Sequence, residues 1–423
     1  MKNKPYANGL VVGKGRTPPE MGSKHQIPAV VTSLNVNGLA VARTLGRHGV
    51  PVIAIHNNDT DPETRSRFVS QRWHSNSSQL IETLLKHGPG FSAKPVLLAI
   101  TDDAVTAIAH NLESLREFYT VPMPRAELVL QLLDKRGFDQ IAKDHNLPLP
   151  QTWYVHSPEE LAALREQLSF PCVLKPQEKT PEYFGAGGLR AYILDDFEAL
   201  QTAYRTFADV EPRVVIQQFI PGGDDAIHFC LQACANDHSA ILPFAGRKLR
   251  QWHPHCGGTS LCEPVQSEAL VRLTSDFFKR IGMLGPCSME FKCDPRDGTY
   301  YVIEPTVCRT DWQNAVADAN DTPVIYAAYC AALGLPPPQP ANRPGRRRWV
   351  SFGSDRMSAS YYIQRGELSR PEWLWSIRPP IRGAYFALDD WGPYLAICTS
   401  TLRRGFAKLS NLFKPRSSKS SSA

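Results

Sequence analysis

An α/β region followed by an α+β region is the fold class this sequence predicts. Three features carry it. Apolar strands alternate with amphipathic helices over residues 28–115, the texture changes at Asp134 to short strands interrupted by helices, and an acidic two-stranded hairpin spans Ser288 to Thr306. The chain has 423 residues, 42% hydrophobic and 21% charged, which is long enough for two or three packed domains.

Residues 1–27 are polar, rich in Gly, Pro and Lys, and are expected to be disordered. From Pro28 the segment AVVTSLNVNGLAVARTLGRHGVPVIAIHN reads as strand, Asn/Gly turn, helix and strand (29–32, 38–48 and 51–56), a βαβ unit. A further apolar strand, 95–100, leads through Thr101, Asp102 and Asp103 into a helix over 104–115. The expected sheet is parallel, with ligands beyond the carboxyl ends of its strands. Asn35, Asn37, Asp102 and Asp103 stand at those ends, either as substrate contacts or as turn and cap residues. The Gly9–Lys14 stretch is one residue short of a P-loop and precedes the first strand, and no GxGxxG follows that strand, so a dinucleotide cofactor is not expected.

After the helix DKRGFDQIAKDHN, strands are expected at 152–155, 172–175, 191–194 and 214–217, with helices near 158–167 and 196–207. A β-rich stretch, 225–306, carries a helix near 268–281, and another helix starts near Trp312. PPPQPANRPGRRR (336–348) is linker-like. Residues 349–401, with Trp349, Trp373, Trp375 and Trp391, read as an ordered appendage.

In the hairpin, alternation places Met289, Phe291 and Cys293 on one side and Glu290 and Lys292 on the other; Tyr301 and Ile303 likewise oppose Val302 and Glu304. Asp294-Pro295-Arg296-Asp297-Gly298 is the turn. Glu290 and Glu304 on facing strands suit a hard divalent cation bound with nucleotide phosphates, or else they form a solvated acidic face. Lys175 closes the strand PCVLK, and a glycine-rich loop with Gly187 and Gly188 follows; a lysine and free amides there can neutralise phosphate oxygens. His253, His255, Cys256 and Cys262 lack the paired spacing of a zinc site. Gly257, Gly258, Thr259 and Ser260 in the same stretch suit a substrate-facing loop.

The net charge of +6 is matched by Arg403, Arg404, Lys408, Lys414, Arg416 and Lys419 in an acid-free tail, 402–423. The near-neutral body argues against a nucleic-acid partner. Leu402, Phe406, Leu409 and Phe413 recur at helical spacing in that tail, which reads either as weak peripheral membrane contact or as a disordered solubilising segment. The ten cysteines are scattered singly and are expected to be reduced; with no apolar span or signal segment, a cytoplasmic location is expected.

Taken in order, DKRGF (Lys135), VLKP (Lys175), the glycine lid, VIQQFIPGGDD, GRKLRQ and the acidic hairpin resemble the ATP-grasp superfamily, and within it the carboxylate-amine ligase-like proteins. The resemblance covers roughly residues 28–335. It implies an ATP-grasp fold over 126–335, with a lid at about 150–222, preceded by a Rossmann-like α/β domain (28–125) and followed by the appendage. It further implies ATP and Mg²⁺ (or Mn²⁺), with Lys135, Lys175, Gly187 and Gly188 on phosphates. Gln217, Gln218, Phe219 and Ile220 would meet the adenine edge, and Asp224, or Asp225, the ribose hydroxyls. Lys248 and Arg250 would approach the γ-phosphate, and Glu290, Glu304 and Thr306 the metal; Thr306 stands where the superfamily usually has asparagine. In CRTDWQNA, Arg309 either anchors a carboxylate or forms a local ion pair, and Asp311 either binds the amine or caps a helix.

The activity implied is ligation of a small-molecule carboxylate to an amine through an acyl-phosphate, on amino-acid-like substrates or, less directly, cell-envelope precursors. Capture of the acyl-phosphate by a thiol or a sugar-linked amine is a neighbouring alternative. A nucleotide-binding regulator without catalysis is the alternative of another class, and a homodimer is compatible with either.

Overall fold

The computed structural model describes residues 27–401 apart from 179, 190, 256 and 341–344. The expected disordered start and the basic tail lie outside the described residues, as do Cys256 and part of the linker.

The first layer is a parallel sheet of order β3-β2-β1-β4, built from β1 (Ala29–Val31), β2 (Val52–His56), β3 (Val69–His74) and β4 (Val96–Leu98). Helix α1 (Val36–Arg47) connects the first two strands, and the Asn35 side chain caps it by accepting from the amides of Asn37 and Gly38. Helices α2 (Leu80–His87), α3 (Asp102–His110) and α4 (Leu112–Arg116) complete the layer, with Thr101 capping α3. Both sheet faces are buried: Val30, Ile53 and Leu97 pack to one side, and Ala29, Val31, Val52 and Leu98 to the other.

Helices α5 (Ala126–Leu133) and α6 (Lys135–Asp144) lead into the lid. Asp134 caps α6 through the Gly137 amide, so Lys135 is its first helical residue. The lid sheet has order β5-β8-β6-β7, all pairs antiparallel, from β5 (Thr152–Val155), β6 (Cys172–Pro176), β7 (Tyr192–Leu194) and β8 (Val214–Gln218). Its helices α7 (Pro158–Ala163), α8 (Pro181–Gly185) and α9 (Phe197–Phe207) enclose a core of its own around Leu174, Tyr183, Tyr204, Phe207 and Ile216.

The third layer is a large sheet of order β13-β12-β9-β10-β11-β14-β15. Its strands are β9 (Ile227–Cys234), β10 (Ala240–Trp252), β11 (Gly258–Pro264), β12 (Gly285–Cys293), β13 (Tyr300–Thr306), β14 (Arg348–Val350) and β15 (Ile381–Gly383). Helices α10 (Glu268–Arg280), α11 (Asn314–Ala319) and α12 (Val324–Ala332) cover it. The sequence of α12, VIYAAYCAA, is apolar all round because the helix is wedged between two sheets. Ile325 and Tyr329 meet the parallel sheet, while Val324, Ala327 and Ala328 meet the large one. The expected appendage is joined to this sheet, because β14 and β15 are two of its strands; α13 (Phe352–Gln364) packs on β10 and β11, and α14 (Arg370–Ser376) is tied to α13 through Trp373 and Asp355. The nine described cysteines are free; Sγ of Cys234 and Cys287 lie 3.5 Å apart on neighbouring strands.

Candidate active site at the acidic hairpin

The hairpin forms as expected. Gly298, at φ 75°, closes the turn by donating to the Asp294 carbonyl, and the Asp294 amide donates to Thr299. Glu290 and Glu304 are direct cross-strand partners, and Ser288 pairs with Thr306. The expected alternation fails at one point. Phe291 pairs with Val302, so Ile303 is an extra residue, a β-bulge. Val302 therefore joins Met289 and Phe291 in the core, while Glu304 stays on the Glu290 side; the two do not share a face as simple alternation requires.

A second bulge corrects the reading of Lys248 and Arg250. Lys248 pairs with Cys262 and Arg250 with Leu261, which leaves Leu249 as the extra residue. The two side chains therefore part company. Lys248, 4% exposed, donates from Nζ to Glu290 Oε2 at 2.9 Å and to Gln251 Oε1 at 3.2 Å. Arg250 turns to helix α13 and forks onto Asp355, Nε to Oδ1 at 2.8 Å and Nη2 to Oδ2 at 3.1 Å, with Ser376 as a further acceptor. A guanidinium so bound is a structural tie and not a ligand for phosphate.

Charge in the site is balanced closely. Burial works to strip the Lys248 proton, but Glu290 first, then Asp311 and Glu304, overcome it and hold the ammonium above its ordinary value. Glu304 is exposed to solvent, yet burial of its carboxyl and the charge of Glu290 push it above the usual carboxylate range, against Lys248 and Lys175. Lys175 donates within the lid sheet to Gln217 Oε1 on the neighbouring strand β8, at 3.1 Å. Gln313, unremarked within CRTDWQNA, donates to Glu290 Oε1 at 2.8 Å. Only contact across the fold reveals that role, since a glutamine beside a helix start carries no local signal.

At the other rim, the parallel sheet's strand ends meet the 309–311 loop. Arg309 Nε donates to Asp102 Oδ1 at 2.7 Å, and Asn37 Nδ2 to the Thr310 carbonyl at 2.6 Å. Burial works against the Arg309 charge, but Asp102, Asp311 and Glu304 together hold it above its ordinary value. Asp311 accepts from the amide of Trp312, and Asn35 is occupied as the α1 cap.

Several expected contacts are placed differently. Asp224 is saturated. Its Oδ1 accepts from Gln251 Nε2 (2.9 Å) and the His255 amide (3.0 Å), and its Oδ2 from the Gln251 amide (2.8 Å) and Tyr362 hydroxyl (2.7 Å). A carboxylate offers about four lone-pair positions, so none remains for ribose hydroxyls; Asp225, beside it, is exposed. Gln217 and Gln218 lie in β8 between β5 and β6, and the Gln218 amide donates to the Gln151 carbonyl, so the chain leaves the sheet only at Phe219 and Ile220. Lys292 stands 5.4 Å from the Phe219 ring centre. Part of the glycine-rich loop folds as α8. Gly187 has φ 89°, and Gly188 is glycine because the Tyr183 ring lies where a side chain would go. Lys135 is exposed at the start of α6. Thr259 and Ser260 are buried strand residues beside Gln313 and Asp355, not a substrate loop. His253 stacks on Trp252, and His255 packs edge-on to Tyr362; no group of three or more His, Cys, Asp or Glu suited to a metal occurs among the described residues. No helix among them is long and apolar enough to cross a membrane.

No family model matches the chain. It is 26% identical over 270 residues to D-aspartate ligase from Enterococcus faecium (strain Aus0004), covering 60% of this chain and 60% of that protein. Among solved structures, an ADP complex of N5-carboxyaminoimidazole ribonucleotide synthetase superposes with a TM-score of 0.61 at 13% identity, over 80% of this chain and 86% of that one. L-amino acid ligase from Bacillus licheniformis gives a TM-score of 0.54 at 19% identity, over 74% and 75%. These relatives and neighbours are ATP-grasp carboxylate-amine ligases. The chain spans less than two thirds of the D-aspartate ligase, and the fold it shares with the solved structures is the ATP-grasp fold.

Proposed function

We propose that this ATP-grasp chain is an ATP-dependent ligase that joins a small carboxylate, amino-acid-like in character, to an amine. The observation that carries the reading is the register of Glu290 with Glu304, with Lys248 bonded to the first and the charge of Lys175, from the lid, acting on the second.

In the reaction, a substrate carboxylate oxygen attacks the γ-phosphorus of ATP and ADP leaves. The amine then attacks the acyl carbon, phosphate leaves, and an amide remains after the amine loses a proton. The protein's part is positioning and charge neutralisation. Lys175 and Lys248 hold γ-phosphate oxygens, with Lys135 at the lid's edge. Phe219 and Ile220 receive the adenine edge. Arg309 anchors the substrate carboxylate, and Asp102 and Asp311 draw in the amine; Asn37 Oδ1 and Thr310 Oγ1 are buried there without a partner among the described residues, which fits a polar substrate.

Glu290 and Glu304 fit Mg²⁺, or Mn²⁺ in its place: both are hard oxygen donors, and the charge of Glu290, which with burial raises the Glu304 carboxyl, is a repulsion that a cation between them would relieve. Thr306, two residues along β13 from Glu304 and opposite Ser288, supplies an oxygen on a shorter side chain. The ion would neutralise the phosphates that the lysines orient.

The test is ADP and phosphate release from a pool of amino acids. The wild-type protein releases ADP when a carboxylate and an amine are both supplied, and folded Glu304→Ala does not. Retained turnover in that variant would overturn the metal assignment. A wild-type protein that binds ATP but releases no ADP with any pool would point instead to a nucleotide-binding regulator.

A further inference from the structure

We propose that Tyr362, on helix α13, is a positioning residue for Lys248, so that the C-terminal segment sets the geometry of the phosphate lysine. The inference rests on the ligase reading above and adds to it a part of the chain beyond the ATP-grasp resemblance.

A continuous chain of hydrogen bonds carries it. The Tyr362 hydroxyl donates to Asp224 Oδ2 at 2.7 Å; Asp224 Oδ1 accepts from Gln251 Nε2 at 2.9 Å; Gln251 Oε1 accepts from Lys248 Nζ at 3.2 Å; and Lys248 donates to Glu290 at 2.9 Å. Each link has one polarity. An ionised carboxylate only accepts, so Asp224 fixes which end of the Gln251 amide faces it. The amide oxygen is thereby turned to Lys248, whose ammonium only donates. Reversing the amide would set NH₂ against NH₃⁺, so the lysine's second partner depends on Asp224 remaining charged and anchored.

Tyr362 is what anchors it from the C-terminal side. Asp224 is 6% exposed and Tyr362 9%, so the bond is shielded from water. Hydrogen bonds from β10 and α14 hold α13 in place: Asp355 on the same helix binds Arg250, two residues past Lys248, and Trp373 Nε1 donates to Asp355 at 2.9 Å. The bulge at Leu249 thus sends alternate basic residues of β10 to opposite jobs. Arg250 grips α13, and α13 returns through Tyr362 and Asp224 to orient Lys248.

The experiment compares binding of a non-hydrolysable ATP analogue and of ADP, each with Mg²⁺, to the full-length wild type, Tyr362→Phe and, as a control on the same helix, Ser358→Ala, whose buried hydroxyl has no partner among the described residues. Lys248 meets the γ-phosphate, so Tyr362→Phe should weaken the triphosphate about tenfold, the loss of one hydrogen bond to a charged group, and leave ADP within about twofold. Where ADP release is measured, kcat falls by a similar factor while KM for the amine holds. Ser358→Ala should change none of these. An unchanged triphosphate-to-diphosphate ratio in folded Tyr362→Phe overturns this inference and leaves the ligase reading standing. A wild type that binds neither nucleotide overturns both.

Discussion

Replacing Lys248 with methionine removes an ammonium 2.9 Å from Glu290 Oε2, with the two side chains only 5% and 11% exposed. At that distance, and an effective dielectric of about 20, the attraction is about 6 kcal/mol. Part of it is offset because the lysine no longer has to leave water, and removal of one partner of a buried pair costs about 3 to 5 kcal/mol. Spread over an unfolding entropy of about 2.1 cal/mol/K per residue for 423 residues, this lowers Tm by about 3 to 6 °C. The loss has a particular signature. Glu290 and Glu304 now face each other with Gln313 as the remaining neutral donor to Glu290, so added Mg²⁺ should recover more Tm in Lys248→Met than in the wild type. Thermal unfolding at neutral pH, with and without Mg²⁺, measures both effects. The double variant Lys248→Met/Glu290→Leu removes both charges and should regain most of the loss without metal. A drop below about 1 °C, or a double variant as unstable as the single one, would refute the account of the pair as buried and mutually compensating.

Two further outcomes follow from charges described above. Because the folded protein raises the Glu304 carboxyl, the stability tied to its proton is fully present below the ordinary carboxylate range of about 4 and is lost as pH rises through the raised value; metal-free Glu304→Gln should therefore melt higher than wild type at pH 8, with the difference vanishing near pH 4 in a pH series of Tm. Asp355→Ala leaves the Arg250 charge buried without its carboxylate and should cost about 3 to 5 kcal/mol in urea unfolding, whereas Arg250→Met/Asp355→Leu should recover most of that loss, short of the bond Trp373 Nε1 gives up.

Much of the architecture was legible where local rules act alone. The βαβ start is written in apolar alternation and an Asn cap, and the hairpin in its Asp-Pro-Arg-Asp-Gly turn. Strand β3 escaped notice because it is an edge strand whose Ser70, Gln71 and Arg72 are exposed, leaving Val69 and Trp73 as its buried positions. The bulges at Leu249 and Ile303 escaped for another reason. Each adds one residue against a partner strand, and nothing in the bulged segment's own composition announces a mismatch that exists only between two strands. That single-residue offset decides where Arg250 and Val302 point. Asp224 was misassigned because its four donors come from residues 27 to 138 positions away. Gln313 and Tyr362 became visible only once the chain closed on itself.

The pairing of β14 with β11 has a consequence for where this protein can be divided. The proline- and arginine-rich stretch before Arg348 has the composition of a seam, yet the sheet continues across it. A fragment stopping there would present β11 as an open edge and strip Trp349 from beside Trp312, leaving unpaired amides and carbonyls next to bare aromatic surface. Such a piece is an invitation to self-association rather than a minimal folding unit. The covalent order suggests modules in series, but the contacts run on from the first parallel strand past Gly383 to Asp390, whose buried carboxylate accepts from Arg43 and Ser66.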